Sequence, residues 1–232
     1  MSSRRLVGTI AASALLLGGA LSGCGVAGTG FHPGVAAEVG DDQVSVSRVD
    51  EIASNYCSAI SEQLRGDNQV LPLRYLRGGI AGQLALVAAA EQLADEYGVE
   101  PGREYDQKVA ELQGAVADLS EGQRDAVIAI ESSATYISGV QQAVGTQILR
   151  RQGTAKPTTA EATQAGQEAY HAWLDEHDVD IDPQFGVAVR DGQTVPTDTS
   201  LSYAVGDTAK KGGADTPDPA YAGSLPAAHR CG

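Results

Sequence analysis

Aromatic side chains are scarce: they make up 5% of the 232 residues, with one tryptophan and two phenylalanines, and there is a single methionine. A core of bulky rings is excluded, and the abundant Ala and Gly must do most of the packing. Basic residues are in the minority, 16 against 30 acidic ones, for a formal net charge of −14. That balance is repelled by nucleic acid phosphates and anionic lipid headgroups, which excludes nucleic acid as a partner. An acidic surface of this kind serves solubility more often than it forms a site. No apolar stretch after the first twenty-four residues is long enough to cross a bilayer. The chain also lacks HExxH, a P-loop and G-x-S-x-G, so neither a zinc protease, a nucleotide hydrolase nor a serine hydrolase is written in it.

What is present is concentrated at the start. Arg4 and Arg5 precede an apolar run from Leu6 to Leu17, and small residues lead into Leu21-Ser22-Gly23-Cys24. A positive start, an apolar segment too short for a permanent span and a small-residue exit together describe an export signal. With its cysteine, the exit resembles the lipobox of bacterial lipoproteins, in which the first cysteine of the mature chain is acylated. The resemblance implies a signal peptide over 1–23, lipidation of Cys24 and anchoring on the extracytoplasmic face of the cell membrane. An ordinary secretory signal with a chance cysteine, or an uncleaved anchor, are the alternatives. Removing 1–23 takes two arginines and no acid, so the mature chain is more acidic still. Attachment therefore rests on the lipid, and a diacylglyceryl group holds stably at about 0.8 kcal/mol per buried CH₂ where one chain would not.

About two hundred residues remain, enough for one domain with a core, or a domain plus a tail. Residues 24–35 read as a Gly-containing tether. Ala36–Val39 and Gln43–Val46 flank the turn composition Gly40-Asp41-Asp42, which predicts a small β-hairpin or a strand with a turn. Ser47 with Asp50 three residues on is a variant capping box for a helix from about Ser47 to Leu64, whose stripe is Val49, Ile52, Ala53, Tyr56, Ile60 and Leu64. A second helix is expected over Leu73–Tyr97, apolar on two sides and capped by Gly98. Tyr105, Val109, Leu112, Val116 and Leu119 mark a third, closed before Ser120. A long fourth runs through Ile130, Ala134, Ile137, Val144 and Ile148 to Arg150 and Arg151. Thr158 or Thr159 opens a fifth that ends near His177. One or two short strands are expected where Val179–Asp182 alternates apolar and acidic residues and Pro183–Gly186 and Val187–Val189 follow. Beyond Asp191 the chain is a polar tail over 191–232, flexible in part around Lys210–Pro219.

The segment from Ala37 to Asp50 resembles the opening of the SurA N-terminal-like domain of periplasmic and surface chaperones, an apolar strand, a tight turn, a second strand and a Ser-capped helix. Asp182-Pro183-Gln184-Phe185-Gly186 is similar to a strand near the end of actinobacterial lipoproteins of this type. The resemblance covers 36–190 and implies a mainly α fold. Its expected form is a SurA-N-like helical domain of about five helices, with a small β element formed by N-terminal and C-terminal short strands. It implies a client-binding module for exported or unfolded proteins. It carries no catalytic residue, and no segment offers the strands of a parvulin prolyl isomerase domain. A scaffolding lipoprotein that docks one folded partner is the alternative.

Few side chains suggest chemistry. With Cys24 lipidated, Cys57 and Cys231 remain outside the reducing cytoplasm, and an intramolecular disulfide between them is favoured over free thiols or pairing between chains. Closing so long a loop is worth at most about 5 kcal/mol on the chain-entropy model. His171 and His177 are six apart on one helix and read as surface residues, since metal pairs sit at i, i+4. His32 and His229 have no clustered partners, so no metal, cofactor or catalytic residue is assigned. Tyr56, Tyr97, Tyr136 and Trp173 belong to the core by position, although a few could line a client groove. The anchor is directly testable. A Cys24→Ala chain is expected to take up no labelled fatty acid in cells and to remain an uncleaved precursor or become soluble, and label entering it would refute the anchor.

Overall fold

The computed structural model describes residues 33–197 and 204–232. The N-terminal part runs β1 (Val35–Val39), β2 (Asp42–Ser45), α1 (Val46–Gly66), β3 (Leu71–Pro72) and α2 (Leu73–Tyr97). Four helices follow, α3 (Arg103–Ala115), α4 (Glu121–Glu131), α5 (Ser133–Arg151) and α6 (Thr159–Glu176). The chain closes with β4 (Val179–Ile181), β5 (Val187–Arg190), β6 (Gln193–Pro196), α7 (Asp207–Gly212), α8 (Pro219–Ser224) and β7 (Arg230–Cys231). The fold is mainly α with small antiparallel sheets. Among the described residues there are eight α-helices where about five were expected. One expected helix is divided, and two short ones lie in the polar C-terminal segment.

The small β element joins the two ends of the helical region. β1 is the middle strand of the order β2-β1-β4, with Val39 opposite Asp42 on one side and Val179 on the other. Ala36, Ala37 and Val39 have no exposed surface, because β1 is covered by neighbours on both edges and by helices on its face. The cap of the helix after the hairpin lies two residues earlier than expected. Ser45, not Ser47, is its cap, its Oγ accepting from Arg48 N at 3.2 Å. Asp50 is thereby freed from a capping box and pairs with Arg77 of α2 at 2.6 Å.

α2 has the expected bounds. Pro72 stands before it and Gly98 closes it at φ 63°, a left-handed cap that a Cβ disfavours. It is the central helix of the domain. Ile80, Leu86 and Leu93 are buried on it together with Ala81, Ala85, Ala89 and Ala90, so several neighbours can approach. From α6, Tyr170 donates its hydroxyl to Leu86 O at 2.7 Å, and burial pushes that phenol's pKa up. Trp173 Nε1 donates to Glu96 Oε1 at 2.7 Å.

The long fourth helix is two helices. Ser132 Oγ bonds Ile128 O and Ser133 Oγ bonds Ile130 O, both at 2.6 Å. Hydroxyls that bond backward to the backbone weaken a helix, and here the helix is interrupted at Ser132, between α4 and α5. α3 ends at Ala115, four residues short of Leu119, and buries only Leu112. Ser120 with Gln123 and Thr158 with Glu161 form the capping boxes of α4 and α6. Thr158 is therefore the start of the fifth expected helix. Its backbone N–H and hydroxyl hold the Glu161 carboxyl below its ordinary pKa.

α5 and α6 are the most closely packed pair. A Cβ on Gly145 would lie 1.8 Å from Ala162 O, and one on Gly166 would lie 1.7 Å from Gln141 O. Both neighbours are rigid helix backbone, so a methyl group can be admitted only by separating the helices. Gly166→Ala should therefore lower unfolding free energy by about 1–3 kcal/mol or more, as overpacking does. Gly114→Ala, at a position with no atom within 4 Å, should leave stability unchanged or raise it by about 0.5–1 kcal/mol through helix propensity. Denaturant unfolding checks both, and equal effects of the two would contradict the packing.

Candidate functional site

A groove of about 330 Å³ lies where the β5–β6 hairpin rests on the first half of α2. Two glycines of α2 seat the hairpin and the turn that precedes it. A Cβ on Gly78 would meet Phe185 O at 2.5 Å, and one on Gly82 would meet Thr194 Cγ2 at 2.3 Å. With no side chains there, the hairpin lies directly on the helix backbone. Beside that contact, Tyr75, Gly79 and Gln83 recur every four residues and form one wall of the groove.

The opposite side comes from the Asp182–Gly186 motif. Pro183–Phe185 is a 3-10 turn, not the strand expected there. Asp182 accepts from Gln184 N at 2.9 Å, Pro183 favours the turn with its fixed φ, and Gly186 ends it at φ 64°. The turn drives Phe185 down to 5% exposure, with the Arg77 guanidinium 5.3 Å from its ring centroid. Val187 and Pro196 continue the apolar lining, and Thr194, Thr197 and Gln184 add polar groups to it. Gly213, Ala214 and Asp215, from the turn between α7 and α8, form the remaining wall.

Tyr75 stands out. The residue is 46% exposed, and among the described residues Val205 is the other exposed large apolar residue. The groove thus combines an open aromatic ring, an apolar floor and carboxamide side chains on its rim. Such a surface suits an extended chain, whose backbone hydrogen-bonds to amides while its side chains reach the floor.

The other expected positions lie elsewhere. Cys24 and His32 are outside the described residues. His171 and His229 are exposed and apart. His177 is not a free surface residue. It is half-buried at the end of α6, and its ring stacks on Trp173 with centroids 4.1 Å apart and an interplanar angle of 9°. Trp173 is buried, and Tyr56, Tyr97 and Tyr136 are partly buried against the core, so none of the four lines the groove. Tyr56 bonds Glu131 across α1 and α4, and burial followed by that bond pushes its pKa up. Among the described residues, no group of three or more His, Cys, Asp or Glu could hold a metal ion, and no helix is long and apolar enough to cross a membrane.

The groove residues were hard to find in advance. Tyr75 lies between Leu73 and Leu76, off the stripe of α2, and Phe185 lies in a motif whose composition also fits a strand. The signal present was the glycine spacing Gly78, Gly82, with Gly79 between them, which marks a helix face made for close backbone contact.

Cys57 of α1 and Cys231 of β7 come to disulfide distance, with Cα atoms 5.6 Å apart across 174 residues of sequence. β7 pairs with β3 beside them, Leu71 opposite Cys231. No family model, curated protein or solved structure matches the chain. Digestion of unreduced protein, read by mass spectrometry, should yield the Cys57 and Cys231 peptides joined. Free alkylation of both cysteines in native protein would contradict the pairing.

Proposed function

We propose that this chain is a lipid-anchored extracytoplasmic lipoprotein of SurA-N-like fold that holds extended segments of exported or unfolded proteins in the α2–hairpin groove. The observation that carries the reading is the open Tyr75 ring beside the Phe185 and Val187 floor, an apolar surface left uncovered on a strongly acidic chain. Holding needs no nucleophile and no cofactor, and the residues of the groove offer neither. The chain is a binding module and not a prolyl isomerase. Each contact is weak, because an unfolded client loses conformational freedom on binding. The membrane anchor offsets part of that weakness by keeping the groove where exported chains emerge.

The test uses the full chain in detergent, with detergent alone as the blank. A denatured exported enzyme is diluted into increasing amounts of protein, and the soluble client is measured beside a peptide proline-isomerisation assay. The expected result is dose-dependent retention of soluble client, no acceleration of isomerisation and a several-fold weaker effect for Tyr75→Glu. No retention at large molar excess, with stoichiometric capture of one folded envelope protein, would replace this reading with docking of a single partner.

A further inference from the structure

The segment 204–232 supplies one wall of the groove, and its hold on the domain is concentrated at its C-terminal end, where β7 lies on β3 and Gly232 packs against Gln69, Val70 and Leu64. Among its residues only Ala222 and Cys231 are buried. β7 pairs with β3 over two positions, and one of them, Pro72, has no N–H to donate. Arg74 donates to Gly212 O near the end of α7, and the packing of Tyr221 against Gly212 joins α7 to α8 within the segment itself. Asp218 caps α8 by accepting from Tyr221 N at 2.7 Å, and Arg230 donates to Gly223 O at 2.6 Å. These last bonds also stay within the segment, so they order it without attaching it. The Cys57–Cys231 bridge is the covalent tie.

We infer that 204–232 is a strap latched across the groove by the Cys57–Cys231 bridge, and that a dithiol reductant acting on this bridge releases the strap and widens the groove. The opening of the groove rests on the holding function proposed above, whereas release of the strap does not. The point of attack is Cys57. Cys231 is 1% exposed, but Cys57 is half-buried and lines an open surface depression of about 420 Å³. Arg230 and Arg77, the latter paired with Asp50, also line this depression and favour an approaching thiolate.

The exchange balances. The thiolate of the reductant attacks Cys57 Sγ, the bond to Cys231 Sγ breaks, and Cys231 leaves as a thiolate that takes up a proton. The second thiol of the reductant then attacks the mixed disulfide and frees Cys57. Two electrons pass to the protein and the dithiol becomes a disulfide. Once Cys231 is free, β7 is tied to α1 by no covalent bond, and the two-position pairing with β3 and the packing of Gly232 are left to oppose the conformational entropy of so polar a segment.

Hydrogen exchange of the full chain in detergent, before and after complete reduction with dithiothreitol, tests this. Amides of 207–231 should exchange at least ten-fold faster in the reduced protein, while those of α5 and α6 should not change. The double variant Cys57→Ser, Cys231→Ser should show the same pattern without reductant. Unchanged protection of 207–231 after reduction, verified by mass, would overturn the latch. So would faster exchange throughout α5 and α6, because the bridge would then staple the whole domain. Client retention measured on the same two redox forms should rise on reduction. Strap release with no client retention in either form would support the latch and refute the holding function.

Discussion

Contact of backbone with backbone at glycine is the constraint on which the rest of the structure depends. A chain with so few rings cannot fill wide gaps between its elements, so the elements must come close. Gly145 and Gly166 allow α5 and α6 to touch through Ala162 O and Gln141 O, and Gly139 does the same against Pro101 O. Gly78 admits the carbonyl of Phe185 and Gly82 the side chain of Thr194, so the hairpin and the turn before it lie on α2. Alanines at 81, 85, 89 and 90 complete the pattern on the central helix. Interiors are packed as densely as organic crystals, and a core of small residues reaches that density only through short distances between axes. Such a core tolerates enlargement poorly.

The same constraint produces the groove. Where the hairpin and the turn before it meet α2 at Gly82 and Gly78 there is no space left, and one turn away Tyr75 is exposed and Gln83 faces the groove. A cleft between a helix and a short hairpin follows from seating one on the other at a glycine face. Its third side comes from a polar segment with two buried residues, so the groove has a firm floor and one lightly held wall. That asymmetry joins the local packing to the proposed holding of extended chains.

Much of the helical framework was legible in the sequence, and particular residues show where legibility ended. α2 was readable at both ends because Pro72 and Gly98 are strong local punctuation. The Val39–Asp42 turn and the strand at Val179–Ile181 were readable from apolar alternation and turn composition, although nothing local says that β4 pairs with β1. The division at Ser132 was missed because the apolar stripe continues through it, and only the hydroxyl bonds of Ser132 and Ser133 reveal the break. Ser45 displaced Ser47 as the cap of α1 for a similar reason, since both are serines before an apolar stripe. The groove was not legible, because it depends on contacts between residues about a hundred positions apart. α7 and α8 were hidden by a Gly- and Pro-rich composition that resembles a flexible tail.

The most direct measurement of the central claim is photo-crosslinking in the living cell, with a photoreactive aromatic amino acid replacing Tyr75 in the full chain. The same replacement at exposed Glu111 on α3 is the comparison. If the groove holds extended clients, position 75 should capture many different exported proteins, each through short apolar segments, and position 111 should capture few. Capture at position 75 of one protein alone, or equal capture at both positions, would contradict the account.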